Sequence, residues 1–410
     1  MKVWQYSSKL KHYWQCIRCL SETSHGRLVL GIETSCDETG AAVVDEDGLI
    51  LGEGLHSQKG VHVKNGGVIP PLAQNLHQQF IDEVVQSALR GSGVALKDLS
   101  AVATTTRPGL ALCLRVGLEY SKELVKTTGL PFIPVHHMEA HALTVRMIDK
   151  SISFPYLVLL VSGGHCILAV AKGVGDFIIL GETRDSAPGE AFDKIARRLK
   201  LQHHPKCKNM GGGQAMETLA KEGDIHILDG KHMFRMKSKD CDFSFISLKQ
   251  AVTHFIHESE ELQGIFAGNP DFLNNASDIC ASVQHHITRH LITRILRGMD
   301  YCKMTGLIPG EKQTLVVSGG VASNNYIRGA LKKLCDYKDY KLVCPPPHLC
   351  TDNGIMIAWA GMEHLKQGTG IAEDPSSVRF EPREPLGPSI SASVREARLR
   401  VQRFKFWTDG

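Results

Sequence analysis

PYLVLLVSGGH (155–165) and QTLVVSGGVASN (313–324) decide how this chain is built. Each is an unbroken apolar run that ends in Ser-Gly-Gly. A Val/Leu run without polar alternation is the pattern of a strand buried on both faces, as in the parallel part of an α/β sheet. Glycines at its carboxyl end let backbone N–H groups come close to a ligand, because no Cβ stands in the way. The plainer reading is a pair of tight turns. Two identical loops after matched strands favour an internal repeat, with the loops facing one another as a phosphate clamp.

Outward from these strands the pattern continues as α/β. RLVLGIETS (27–35), AAVVDEDG (41–48) and LILGEGLHSQ (49–58) read as three antiparallel strands with a turn at Asp47-Gly48. Leu76, Phe80, Val84, Val85 and Leu89 recur at helical spacing. LSAVATTT (99–106) is a strand, Leu110–Thr127 a helix opened by Pro108-Gly109, and PFIPVHH (131–137) a further strand. With 410 residues the chain exceeds what one core usually organises, so two lobes are expected.

No apolar run approaches the roughly 20 residues of a membrane-spanning helix; Pro155 and Gly163 close off the longest. A net charge of +4 suits an anionic partner without demanding one. The 12 cysteines are scattered, and the close pair Cys16 and Cys19 lacks a second pair to complete a zinc site, so they read as reduced thiols. Residues 1–26 set Lys2, Lys9, Lys11 and Arg18 against one acid, Glu22, with no apolar core segment. That is the composition of an organellar transit peptide, and it points to the mitochondrial matrix.

The chemistry concentrates in a few motifs. In PVHHMEAHAL, His137 and His141 differ by about 40° around a helix and can share one metal. A metallopeptidase would place its general base directly after the first His, where this chain has Met138; Glu139 points elsewhere. LCTDNGIMIAW offers Asp352 at the start of an apolar helix, as a third ligand or as an N-cap, roles that do not exclude each other. Two His and one Asp leave coordination positions open to a substrate oxygen. GIETSCDETG adds Asp37 and Glu38 in a turn between strands. In GEAFDKIARRL, Asp193 can accept ribose hydroxyls, and Lys194 stands beside it. Arg197, Arg198, Lys200, His203, His204, Lys206 and Lys208 form the densest basic run, either a solvated face or a surface for phosphate backbone.

GIETSCDET, GGVIPPLAQNLH, PVHHMEAH, LVSGGH, EAFDK, DFSF, SGGVASNN and CTDNGIMIAW, in that order, resemble the motifs of the universal threonylcarbamoyl-transferase family and of its mitochondrial branch in particular. The resemblance spans about residues 28 to 384. It implies a duplicated actin-like/Hsp70-like, ribonuclease H-like two-lobe fold, with 27–135 plus 352–385 as one lobe, 136–351 as the other and 386–410 as a tail. It implies transfer of threonylcarbamoyl from threonylcarbamoyl-adenylate to the exocyclic amine of the adenosine 3′ of the anticodon. One divalent metal per subunit, iron or zinc, would sit on His137, His141 and Asp352. Leu160, Val161, Ser162, Gly163 and Gly164 would hold phosphate and acyl group, Asp193 the ribose, and Ser323 and Asn324 the adenosine, with Gly213 a further contact. Asp37, Glu38 and Lys194 are the candidate catalytic residues. The implied partners are mitochondrial tRNA and a separate synthase that makes the adenylate; a homodimer is left open. The chain departs from the family in NMGGGQ after the EAFDK helix and in Arg107 and Arg115, where small residues are usual. Competing readings are an ATP-dependent kinase or ATPase of the same fold, a metallopeptidase, and a non-enzymatic scaffold that keeps a nucleotide site.

Overall fold

The computed structural model describes residues 26–65, 67–208, 210–230, 238–265, 272–310, 313–402 and 404–406. The transit-peptide reading of residues 1–26, all but Gly26, and the Cys16/Cys19 pair lie outside them.

Among the described residues ten strands form two sheets. β1 (Leu28–Glu33), β2 (Glu38–Asp45), β3 (Ile50–Ser57), β4 (Ala101–Arg107) and β5 (Phe132–His136) are ordered β3-β2-β1-β4-β5. β6 (Tyr156–Val161), β7 (Cys166–Gly173), β8 (Asp176–Glu182), β9 (Gln313–Ser318) and β10 (Tyr340–Val343) are ordered β10-β9-β6-β7-β8. In each sheet the first strand pairs antiparallel with the second and parallel with the fourth. The third is antiparallel to the second, and the fifth parallel to the fourth. The same path traced twice is the duplicated two-lobe α/β fold of the actin-like class.

The duplication is not the repeat visible in the sequence. The two Ser-Gly-Gly strands, β6 and β9, are the first and fourth strands of one sheet, in parallel register with Leu160 opposite Ser318. Their loops therefore stand side by side at one sheet edge and do not face each other. Gly319, at φ 101°, lies so close that a Cβ there would sit 2.5 Å from the Val161 carbonyl oxygen. The true counterparts are β1 with β6 and β4 with β9, which share apolar character and little else.

The longer helices are α1 (Pro70–Ser92), α2 (Ala111–Thr128), α3 (His137–Ile148), α4 (Pro188–Arg198), α5 (Gly212–Ala220), α6 (Ile246–Leu262), α7 (Ala276–Thr305), α8 (Asn325–Lys338) and α9 (Gly354–Gln367). α1 buries Ala73, His77, Ile81, Val84, Val85 and Ala88, while Leu76, Phe80 and Leu89 are only partly covered. The cause is β3, whose Gly52 and Gly54 admit the helix backbone so closely that a Cβ on them would meet Ala88 O at 2.1 Å and Val84 O at 2.2 Å. Only small and β-branched side chains fit that contact.

α9, late in the chain, returns to the first sheet and packs on β1, β2 and β4. Backbone meets backbone there: a Cβ on Gly31 of β1 would lie 2.1 Å from Ala358 N, and one on Gly354 would lie 2.4 Å from Ala41 Cα. Beyond α9 the chain straps both lobes. Ala372 and Glu381 donate to Phe132 O and Thr106 O in the first, and Ile390 donates to Ile179 O in the second. Gly31→Ala is expected to cost about 3 kcal/mol or more of unfolding free energy, because neither backbone can yield. Gly60→Ala, which meets open space, should change it by under about 1 kcal/mol in the same urea titration.

Candidate metal centre and its cleft

β5 runs directly into α3, and this junction sets up the histidines. The His136 ring accepts the Met138 N–H at 3.2 Å and so caps α3. His137 and His141 then project to one side with ring centroids 4.8 Å apart and planes at 88°. Asp352 comes to them from the turn before α9. The cap of α9 is Asn353, whose Oδ1 accepts the Met356 N–H at 2.9 Å. The capping role that the sequence offered to Asp352 thus falls to its neighbour, and the Asp352 carboxylate faces the rings. Its Oδ1 lies 3.1 Å from His141 Nε2 and 3.5 Å from His137 Nε2. The three donor atoms lie within 4.8 Å of one another, so this cluster could hold one metal ion.

Glu33, at the end of β1, completes the arrangement and was not singled out from sequence. Its Oε2 lies 3.2 Å from His137 Nδ1 and accepts the Thr105 hydroxyl at 2.5 Å. Its Oε1 accepts the Ser35 N–H at 2.5 Å, and Ser35 Oγ is a second partner for His137 Nδ1 at 3.2 Å. A carboxylate behind one imidazole nitrogen, with the other nitrogen turned to a shared point, is the usual support of a metal-binding histidine. The signal available in the sequence was an acid closing an otherwise apolar strand, LVLGIE, two residues before Ser35.

The electrostatics agree with a cation site. Burial disfavours charge on His137, but Asp352 and Glu33 outweigh it and push the imidazole up to about 10. Burial likewise opposes ionisation of Asp352 and Glu33, and His137 outweighs it in both, holding Asp352 well below the usual carboxylate range and Glu33 lower than ordinary. Asp352 and Glu33 thus hold positive charge on His137 between them, a charge that a divalent cation would supply without the proton. Among the described residues His141 Nδ1 is buried without a partner. Glu139 takes no part: it accepts the Gly175 N–H at 2.6 Å and pairs with His364 Nε2 at 3.2 Å.

The first Ser-Gly-Gly loop is the turn of the β6–β7 hairpin, closed by Ser162 N–H to His165 O at 2.9 Å. Leu160 and Val161 bury their side chains in the strand, so only their backbone could touch a ligand. Gly163 and Gly164 have open space about them, and the start of α4 abuts the turn through Gly189. His165 follows at once; burial first, and then the charge of His137, push its ring down to about 4, so a neutral imidazole lies near the His137–His141–Asp352 cluster. In the second loop Ser323 Oγ donates to Gly320 O at 2.6 Å. Asn324 Oδ1 caps α8 and its Nδ2 donates to Gln284 at 2.8 Å, so its side chain is engaged within the protein.

The remaining candidates are more dispersed. Asp193 is raised by burial, against the pull of the Gly213 N–H, which ties these two residues together. Asp37 stays at the β1–β2 turn, where it accepts the Gln58 N–H through its backbone at 3.0 Å. Glu38 is no exposed turn residue: it opens β2, is buried, accepts from Ser57 Oγ at 2.9 Å and pairs with Lys59 at 3.3 Å. Lys194 pairs with Glu190 at 2.5 Å along α4. Much of the basic run is also neutralised, Arg198 by Glu260 and Lys206 by Glu222. The two unusual arginines find partners in the strap: Arg107 lies 3.5 Å from Glu384, and Arg115 lies over the Phe380 ring at 5.7 Å.

A sequence profile of tRNA N6-adenosine threonylcarbamoyltransferases matches residues 49–359. The chain belongs to that family. A relative from Danio rerio named tRNA N6-adenosine threonylcarbamoyltransferase, mitochondrial, is 52% identical over 392 residues, 95% of each chain. One of the same name from Homo sapiens is 52% identical over 379 residues, 92% of this chain and 91% of that one. A Rhizobium johnstonii relative named tRNA N6-adenosine threonylcarbamoyltransferase is 41% identical over 370 residues, 89% of this chain and 96% of that one.

Glu38 gives a pH test. Burial raises it from an ordinary 4.5 to about 7, so the fold favours its protonated form. That contribution is complete below about 4.5 and is lost as pH rises through about 7. Glu38→Gln fixes the neutral form. Its stability relative to the parent should rise by on the order of 2 kcal/mol between about pH 5 and about pH 8, followed by thermal unfolding at each pH. A difference independent of pH would show Glu38 ionised throughout.

Proposed function

We propose that this chain transfers threonylcarbamoyl from threonylcarbamoyl-adenylate to the exocyclic amine of the adenosine 3′ of the anticodon in mitochondrial tRNAs reading codons that begin with A, in the mitochondrial matrix. The observation that carries the reading is the convergence of His137, His141 and Asp352, backed by Glu33, beside the turn Ser162–His165 in a chain of this family. A separate synthase supplies the adenylate.

The reaction joins the amine nitrogen to the carbamoyl carbon, breaks the bond from that carbon to the phosphate oxygen, and releases adenylate and the amine proton. His137, His141 and Asp352 would hold one divalent metal, iron or zinc, which when bound supplies Lewis-acid polarisation of a substrate oxygen. Glu33 and Ser35 fix the His137 ring so that Nε2 faces the cluster. The turn Ser162–Gly164 takes the phosphate and acyl group; the Ser162 N–H is spent on His165 O and the Gly164 N–H on Ser162 Oγ, so the Gly163 N–H is the turn's donor toward charge on the departing phosphate. Asp193, aligned by the Gly213 N–H, takes the ribose hydroxyls, and the loop at Ser323 and Asn324 borders the adenosine. Glu38 opens β2 in the first sheet, its carboxyl raised to about 7 by burial, and suits the amine proton, with Asp37 beside it. Glu139, fully engaged by Gly175 and His364, leaves the peptidase reading without a base.

His141→Ala should remove most of the bound metal by elemental analysis and lower tRNA modification at least about tenfold, with the circular dichroism of the parent retained. Unchanged metal content and activity would overturn the assignment.

A further inference from the structure

The functional reading requires a surface for an RNA backbone, and the charge inventory does not favour α4 and the basic run that follows it. Arg198, Lys194 and Lys206 there are held by Glu260, Glu190 and Glu222, and the groove between α4 and α6 has its lysines, Lys194 and Lys249, both on Glu190. Phosphate contacts on that face would first have to break ion pairs.

A second cleft has the opposite balance. Between α7 and the C-terminal residues 399–402 and Phe404 lies a cavity of about 540 Å³ whose lining, among the described residues, contains Lys239, Arg289, Arg297 and Arg400 and no acidic residue. Lys239 and Arg400 are exposed and make no ion pair among the described residues. Arg297 is buried and oriented, its guanidinium donating to the Asp240 carbonyl at 2.5 Å. Arg395 and Arg398 extend the positive charge along the same segment, again without an ion pair among the described residues. The other wall is apolar, with Leu399 and Phe404 anchored in the second-lobe core. Fixed and mobile cations beside an apolar wall suit a phosphodiester backbone, whose phosphates take forked guanidinium contacts while sugar or base rests on carbon.

We propose that this cleft is a contact surface for the phosphate backbone of the tRNA substrate; the proposal rests on the functional reading above. Each cation that neutralises a phosphate displaces a condensed counterion, so binding through this surface carries a salt dependence that its removal flattens. Arg297 is left intact in the test, since its buried guanidinium shares the Asp240 carbonyl with Arg294 and its loss would disturb the wall of the cleft itself. The exposed pair is changed instead, Lys239→Ala together with Arg400→Ala, in the metal-loaded full chain. Dissociation constants for unmodified tRNA are measured over a range of salt, beside an Arg197→Ala, Lys200→Ala control. The expected result is binding weakened about tenfold or more at low salt, with a log–log salt slope shallower by about one to two. The control should change less than the test variant. Unaltered affinity and slope in the Lys239/Arg400 variant, while the parent binds and modifies tRNA, would overturn this surface and leave the activity standing. Unaltered tRNA affinity combined with loss of stabilisation by inorganic phosphate would reassign the cleft to a small anion. A parent that neither binds nor modifies tRNA would overturn both readings together.

Discussion

The close approach of α9 to the first sheet is the contact on which the site depends. Gly31 on β1 and Gly354 on α9 carry no side chains where the two backbones meet, so the helix lies against the strand at a distance that a single methyl group would prevent. That seating delivers Asp352 to His141 across 211 residues of sequence. It also explains why α9 is buried around almost its whole circumference. A helix held by backbone proximity cannot slide without exposing that surface, so the third donor is positioned by packing rather than by its own hydrogen bonds. Asn353 contributes by taking over the cap, which leaves the neighbouring carboxylate uncommitted to the backbone.

The site histidines were legible because their spacing alone puts them on one side of a helix, and Asp352 because an acid before a long apolar helix invites attention. Glu33 was not. A carboxylate that supports a ligand through a hydrogen bond leaves no spacing rule, since its partner His137 is 104 residues away and the link exists only once β1 and β5 flank β4 in one sheet. The duplicated fold was hidden for a related reason. Strands in equivalent places need only be apolar, whereas β6 and β9 carry matching loops because they end at the same edge of the same sheet. Sequence likeness there records a shared local task and not a shared ancestry of lobes. The basic run misled similarly: its cations were visible, but Glu260 on a different helix and Glu222 beyond α5 neutralise them only in three dimensions.

α3 joins these observations. Ala140 and Leu143 on one side belong to the core of the first lobe, while Met138, Ala142 and Val145 on the other belong to the cluster under β6 and β8. The helix that carries both histidines is therefore packed into both lobes at once, and ten of its twelve residues are buried. Glu139 adds a polar link of the same kind, joining α3 to the β7–β8 turn through Gly175 and to α9 through His364. Two donors of the cluster move with a shared element, the third with the first lobe, and the Ser-Gly-Gly turn with the second. Any rotation of one lobe against the other must then change the distance between the His137–His141–Asp352 cluster and the turn at Ser162–His165. The double packing of α3 resists that rotation, because it would open apolar surface on one face of the helix or the other. The geometry of the cleft is thus set by the burial of a single helix, and its chemistry by the carboxylates at either end of that helix's reach.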